Sequence, residues 1–121
     1  MPVVLIVEDD ADVREFEAAA LLSGGHDVVV ARNGREALEV LERLQPCIIL
    51  LDLMMPVMDG LTFLVERRRR DLAPGVPVVC VSAAGEPFLR RARQLGAQEC
   101  ILKPADMDDL CDCVSQYCES S

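Results

Sequence analysis

Short, unbroken apolar runs recur along the chain at Val3–Val7, Val28–Ala31, Cys47–Leu51, Val76–Val81 and Cys100–Leu102. Their polarity does not alternate, the pattern of strands covered on both faces. Between them the apolar positions change to helical spacing. A first helix follows Asp10 and stops at Gly24-Gly25. In the second, Asn33 can cap and Glu36 can reach back, with Ala37, Leu38, Leu41 and Leu44 on one face and Pro46 as the stop. The third starts after Asp59-Gly60 and turns Leu61, Leu64 and Val65 inward. Pro87 suits the first turn of the fourth, which points Phe88, Ala92 and Leu95 inward before Gly96. Asp106 can cap the fifth, whose apolar face is Met107, Leu110, Cys111, Val114 and Cys118.

Strict strand–helix alternation predicts an α/β fold: a flavodoxin-like, doubly wound, five-stranded parallel sheet of order 2-1-3-4-5 with five helices and right-handed crossovers. No repeat, low-complexity stretch or linker interrupts it, so residues 1–121 are expected to form one domain.

Composition narrows the function. Apolar residues make up 51% of the chain and aromatics 3%, so the core must be aliphatic. A net charge of −9 argues against direct nucleic-acid binding, which needs clustered cations. The one basic run, Arg67 to Arg70, closes the third helix, where cations suit the dipole. No apolar stretch is long enough to span a membrane and Met1-Pro2-Val3 is a poor leader, so a cytoplasmic location is expected. The six cysteines include no CxxC pair, and the single His26 is distant, so zinc is not expected. They read as reduced structural thiols.

The run-ends carry the chemistry. In a parallel sheet Glu8-Asp9, Asp52, Ser82 and Lys103, the only lysine, would meet at one edge. Carboxylates about 4 Å apart repel by roughly 4 kcal/mol at an effective dielectric of ~20. Three acids against one lysine must therefore protonate, splay or bind a divalent cation. Hard oxygen donors select Mg²⁺, with Mn²⁺ also suitable, where the partner is a phosphoryl group. Asp52 is the candidate nucleophile, since carboxylates form acyl phosphates. Lys103 and the Ser82 hydroxyl would cover the phosphoryl oxygens.

The stretches Val4-Leu5-Ile6-Val7-Glu8-Asp9-Asp10, Leu51-Asp52-Leu53-Met54-Met55-Pro56-Val57-Met58-Asp59-Gly60, Val81-Ser82-Ala83 and Leu102-Lys103-Pro104 together resemble the receiver domain of bacterial two-component response regulators. The resemblance implies that Asp52 accepts phosphoryl from a histidine kinase or histidine phosphotransfer protein. It implies that Asp9 binds Mg²⁺ directly and Glu8 through water, with the backbone carbonyl of Met54 as a further ligand. Asp52 would also ligate the metal, and Lys103-Pro104 is a candidate cis peptide. Such a domain is not an enzyme beyond its own phosphorylation and dephosphorylation. The downstream partner is not readable, nor is whether the chain stands alone or belongs to a larger regulator.

Two positions depart from the family. Cys100 replaces the usual Tyr or Phe three residues before the lysine, and Ala105 stands where Phe often follows Lys-Pro. They keep open a pseudo-receiver that binds protein without phosphate. A haloacid-dehalogenase-type phosphatase is a second alternative, but its D-x-D motif on the first strand is missing: Asp52 lies on the third and is followed by Leu53-Met54.

Overall fold

In this computed structural model, which describes residues 2–118, strands and helices alternate throughout. They are β1 (Val3–Val7), α1 (Ala11–Ser23), β2 (Asp27–Ala31), α2 (Gly34–Leu41), β3 (Ile48–Leu51), α3 (Gly60–Arg69), β4 (Val78–Ser82), α4 (Glu86–Gln94), β5 (Glu99–Leu102) and α5 (Met107–Tyr117). Met1 and residues 119–121 of the domain expected over 1–121 lie outside the described residues. The sheet runs β2-β1-β3-β4-β5 with every neighbouring pair parallel, the order expected from the sequence.

Successive strand residues point to opposite faces, and the sheet thereby divides two apolar clusters. Leu5, Val7, Ile49, Leu51, Val78 and Cys80 pack against Leu38, Phe63, Leu64 and Leu89 from α2, α3 and α4. Val4, Ile6, Ile48, Leu50, Val79 and Val81 pack against Leu21, Leu110, Cys113 and Val114 from α1 and α5.

Polar side chains fix the helix starts. Asp10 accepts from the backbone N–H of Asp12 (2.9 Å) and Val13 (3.2 Å). Asn33, Asp59 and Asp106 do the same for α2, α3 and α5. Glu36 reaches back to the Arg32 N–H (2.8 Å), one residue earlier than a capping box would aim.

Some sequence expectations need correction. Leu64, Ala92, Leu110, Val114 and Cys118 face inward as expected, but the edges of the faces differ: α4 buries Leu89 while Phe88 is exposed, α3 buries Phe63 while Val65 is exposed, and α5 buries Cys113 while Met107 is exposed. One residue turns a helix by about 100°, so in short helices with mixed polarity the angle of approach to the sheet decides which stripe faces in. Helix α2 ends at Leu41, well before Pro46. Cys47 and Cys118, expected to be reduced, are joined in a disulfide. The sheet order places the lead-in to β3 beside the end of α5, and the two Cα atoms lie 5.5 Å apart, within ordinary disulfide range. Cys80, Cys100, Cys111 and Cys113 are free.

The arginine run does more than close α3. Arg69 pairs with Glu66 and Arg70 with Glu42. The Arg67 guanidinium turns inward and donates to the carbonyls of Leu72 (3.1 Å), Val76 (2.6 Å) and Ala73. It thereby clamps the loop into β4, where Asp71 and Ala73 adopt positive φ. Among the described residues, no helix is long and apolar enough to cross a membrane.

The loop after β3 returns over the strand end at Gly60, whose N–H donates to the Leu53 carbonyl (3.0 Å). A Cβ on Gly60 would lie 2.5 Å from the Asp52 carbonyl oxygen and 2.8 Å from the Leu53 Cα. Both neighbours are backbone and cannot yield cheaply. Gly60→Ala is therefore expected to lower stability by about 1–3 kcal/mol, read from urea unfolding. An unchanged midpoint would show that this close approach does not constrain the fold.

Candidate functional site

Hydrogen bonds of the sheet carry its register into the site. The N–H of Glu8 donates to Ala31 O (3.0 Å), that of Asp52 to Val7 O (3.0 Å), and that of Lys103 to Ser82 O (3.1 Å). Because Val7 lies level with Leu51, Glu8 and Asp52 leave the sheet side by side. Ser82 is the last residue of β4 and sits level with Leu102. The run-ends expected to converge therefore do so, at the carboxyl edge of the central strands.

Lys103 Nζ bonds to Glu8 Oε1 and lies 3.5 Å from Asp52 Oδ2. Glu8, Asp52 and Ser82 are buried, whereas Asp9 faces outward. One carboxylate oxygen from each of Glu8, Asp9 and Asp52 falls within 4.8 Å of the others. That is an all-oxygen donor set open on one side, able to hold a hard divalent cation. The Ser82 Oγ accepts from the Ala84 N–H (3.2 Å), which leaves its own proton available. Ala83 beside it is small and exposed. The Met54 N–H points toward Asp52 Oδ1 at 3.5 Å, which places the Met54 main chain in the loop flanking the acids. The Lys103–Pro104 peptide is cis.

The electrostatics follow from crowding. Burial pushes the Glu8 carboxyl up to about 7, with the Lys103 hydrogen bond opposing and Asp52 reinforcing the rise. Burial alone would lower the Lys103 ammonium, but Glu8 and Asp52 outweigh it and hold it above its ordinary value. The lysine stays charged and offsets part of the acidic cluster.

Sequence reasoning missed two residues. Arg14 in α1 donates to the carbonyls of Glu8 (2.9 Å) and Asp9 (3.3 Å), fixing the backbone that carries both acids. Glu17, also in α1, is only 4% exposed. Burial and the charge of Glu8 lift its carboxyl to about 7. Its signal was present: Glu17 stands three and four residues before Ala20 and Leu21, which places it on the buried stripe of α1. Arg14 had no such signal, since its partners are main-chain atoms of a loop. The two departures lie close by. Cys100 is half-buried, level with Cys80 on β4 and near the Leu89 carbonyl of α4. Ala105 lines a hollow with Lys103 and Pro104.

Comparison with known proteins agrees with this geometry. The sequence profile described as "Response regulator receiver domain" matches residues 4–115. The chain is 42% identical over 124 residues to a protein-glutamate methylesterase/protein-glutamine glutaminase of Moorella thermoacetica, covering 96% of this chain but 28% of that protein. It also spans less than half the length of several other curated relatives. It is 30% identical over 115 residues to the sporulation initiation phosphotransferase F of Bacillus subtilis, covering 94% of this chain and 91% of that one. The solved structure of the chemotaxis protein CheY4 of Vibrio cholerae superposes with a TM-score of 0.88 at 26% identity, over 98% of this chain and 99% of that chain.

The buried acids impose a pH dependence on stability. Glu17 has a folded value of about 7 against an ordinary 4.5. Between these values the folded chain keeps a proton that the unfolded chain has released, so stability falls as pH rises through the window and levels off above it. Glu8 acts with the same sign. In EDTA, Glu17→Gln is expected to reduce this slope and raise stability at ~pH 8 by roughly 1–2 kcal/mol. Urea unfolding across the pH range measures both, and an unaltered slope would show that Glu17 ionises normally.

Proposed function

Because the chain belongs to the response regulator receiver domain family, we propose that Asp52 is its phosphoacceptor and that residues 1–121 form one receiver domain. A receiver domain is a signalling domain of two-component systems. The observation that carries the residue assignment is the contact of Lys103 with both Glu8 and Asp52, beside three carboxylate oxygens within 4.8 Å of one another.

The donor is a phosphohistidine, on a histidine kinase or a histidine phosphotransfer protein. An Asp52 carboxylate oxygen attacks phosphorus, the P–N bond to the imidazole breaks, and the imidazole regains a proton. Glu8, Asp9, Asp52 and the Met54 carbonyl would hold Mg²⁺, which when bound neutralises phosphoryl charge. Asp9, being outward, suits direct ligation; Glu8, being buried and tied to Lys103, suits contact through water. Lys103 exchanges part of its bonding to Asp52 for a phosphoryl oxygen. The Ser82 hydroxyl donates to another, and Ala83 leaves the approach open.

The output step has to proceed without an aromatic rotamer, because Cys100 takes that place between β4 and α4. The chain's location is cytoplasmic, in keeping with the phosphohistidine donor.

Treatment with acetyl phosphate and Mg²⁺, followed by intact mass measurement, is expected to add the mass of one phosphoryl group. The adduct should vanish in Asp52→Asn and when Mg²⁺ is removed by EDTA. No adduct at any Mg²⁺ concentration, with folding verified by circular dichroism, would overturn the assignment in favour of phosphate-independent protein binding.

A further inference from the structure

Two of the free cysteines lie side by side in the sheet. Cys80 on β4 and Cys100 on β5 are register partners. Both side chains lie on the sheet face beneath α4, since Cys80 belongs to the apolar cluster there and Cys100 packs against it. Partners on neighbouring strands stand about 4.8 Å apart, inside the Cα range that a disulfide spans. The two thiols are hydrogen-bonded to each other, so little movement separates them from a covalent bond.

Their surroundings differ in a way that assigns each a part. Cys100 is half-buried, and the Arg93 guanidinium of α4 donates to its sulfur at 3.7 Å. The other end of that guanidinium donates to Glu86 (2.6 Å), which anchors it. A cation so placed offsets the negative charge that a sulfur carries when it attacks an electrophile. Cys80 is fully buried, and burial pushes its thiol well above the ordinary value, with Cys100 adding to the rise. It is shielded from dissolved reagents but not from Cys100. The remaining free thiols are engaged elsewhere: Cys111 donates to the Ala20 carbonyl (3.4 Å), and Cys113 packs into the cluster under α1 and α5.

We propose that Cys100 and Cys80 are a reversible oxidation site for a low-molecular-weight disulfide, with Cys100, faced by Arg93, attacking and Cys80 resolving. Cys100 releases its proton to solvent, and its sulfur attacks one sulfur of the reagent. The reagent's S–S bond breaks, and the first thiolate leaves and takes up a proton. Cys80 then loses its proton and attacks the Cys100 sulfur, displacing the second thiolate, which is protonated in turn. Two protein thiols and one small disulfide thus become one protein disulfide and two small thiols. The bond ties β5 to β4 two residues before Ser82 and three before Lys103. The assignment is independent of whether Asp52 accepts phosphoryl.

Oxidised glutathione serves as the probe. The folded full chain is incubated with it, free thiols are alkylated in urea, and the peptides are mapped by mass. A peptide pair linked through Cys80 and Cys100 is expected, carrying no glutathione and lost on addition of reduced glutathione in excess. In Cys80→Ser the glutathionyl group should stay on Cys100, with Cys80→Val as the substitute if a buried hydroxyl unfolds the chain. In Cys100→Ser, Cys80 should remain fully alkylated. Arg93→Gln should slow the appearance of the linked pair about threefold, the worth of one half-exposed charge. Full alkylation of both cysteines after exposure, glutathione retained on Cys100 of the unsubstituted chain, an unaltered rate in Arg93→Gln, or a link that forms only in the urea-unfolded chain would each overturn the proposal.

Discussion

Like charges held close together must be offset or they drive the chain apart, and this fold concentrates three carboxylates at the end of its central strands. Lys103, the chain's single lysine, reaches two of them at once. The lysine can do so because β5 lies next to β4, and the turn after β5 begins level with the end of β4. Removing one partner from such a buried group leaves an uncompensated charge, which costs far more than the net worth of the pair. The same arrangement that stabilises the resting site is the one a phosphoryl group or a divalent cation would reorganise. Stability and chemistry therefore draw on one set of atoms.

Much of this was legible in the sequence because strand direction converts one-dimensional position into spatial proximity. Once the apolar runs are parallel, their final residues share an edge, so Glu8, Asp9, Asp52, Ser82 and Lys103 could be grouped without coordinates. Features set by rotation or by distant pairing were not. Ala92, Leu110 and Val114 were legible as inward, but the edges of these stripes depend on how each helix leans on the sheet, so Leu89 is buried in place of Phe88. The Cys47–Cys118 bond links positions 71 residues apart, and only the placement of α5 near the start of β3 reveals it. Glu17 differs again: it is an acid on a helix rather than at a strand end, and only its spacing to Ala20 and Leu21 marks it as buried.

The two departures from the family pattern sit in different surroundings. Cys100 faces β4 and α4, where it neighbours Cys80 and the Leu89 carbonyl. Ala105 instead faces α1, across the hollow from Phe16 and Glu17. A shortened side chain at one place reduces the bulk between β4 and α4; at the other it opens room beside the lysine. The changes are near neighbours in sequence, but the β5–α5 segment turns them toward separate parts of the molecule.

The sheet that separates the two apolar clusters also sets how the chain can drift in sequence. A change under α3 and a change under α5 share few or no atoms in contact, so their energetic effects should sum rather than interact. Each cluster can then be rebuilt on its own while the strand ends, where both faces meet, keep their spacing. Diversification of the helices and retention of the chemistry are made compatible by a wall of backbone.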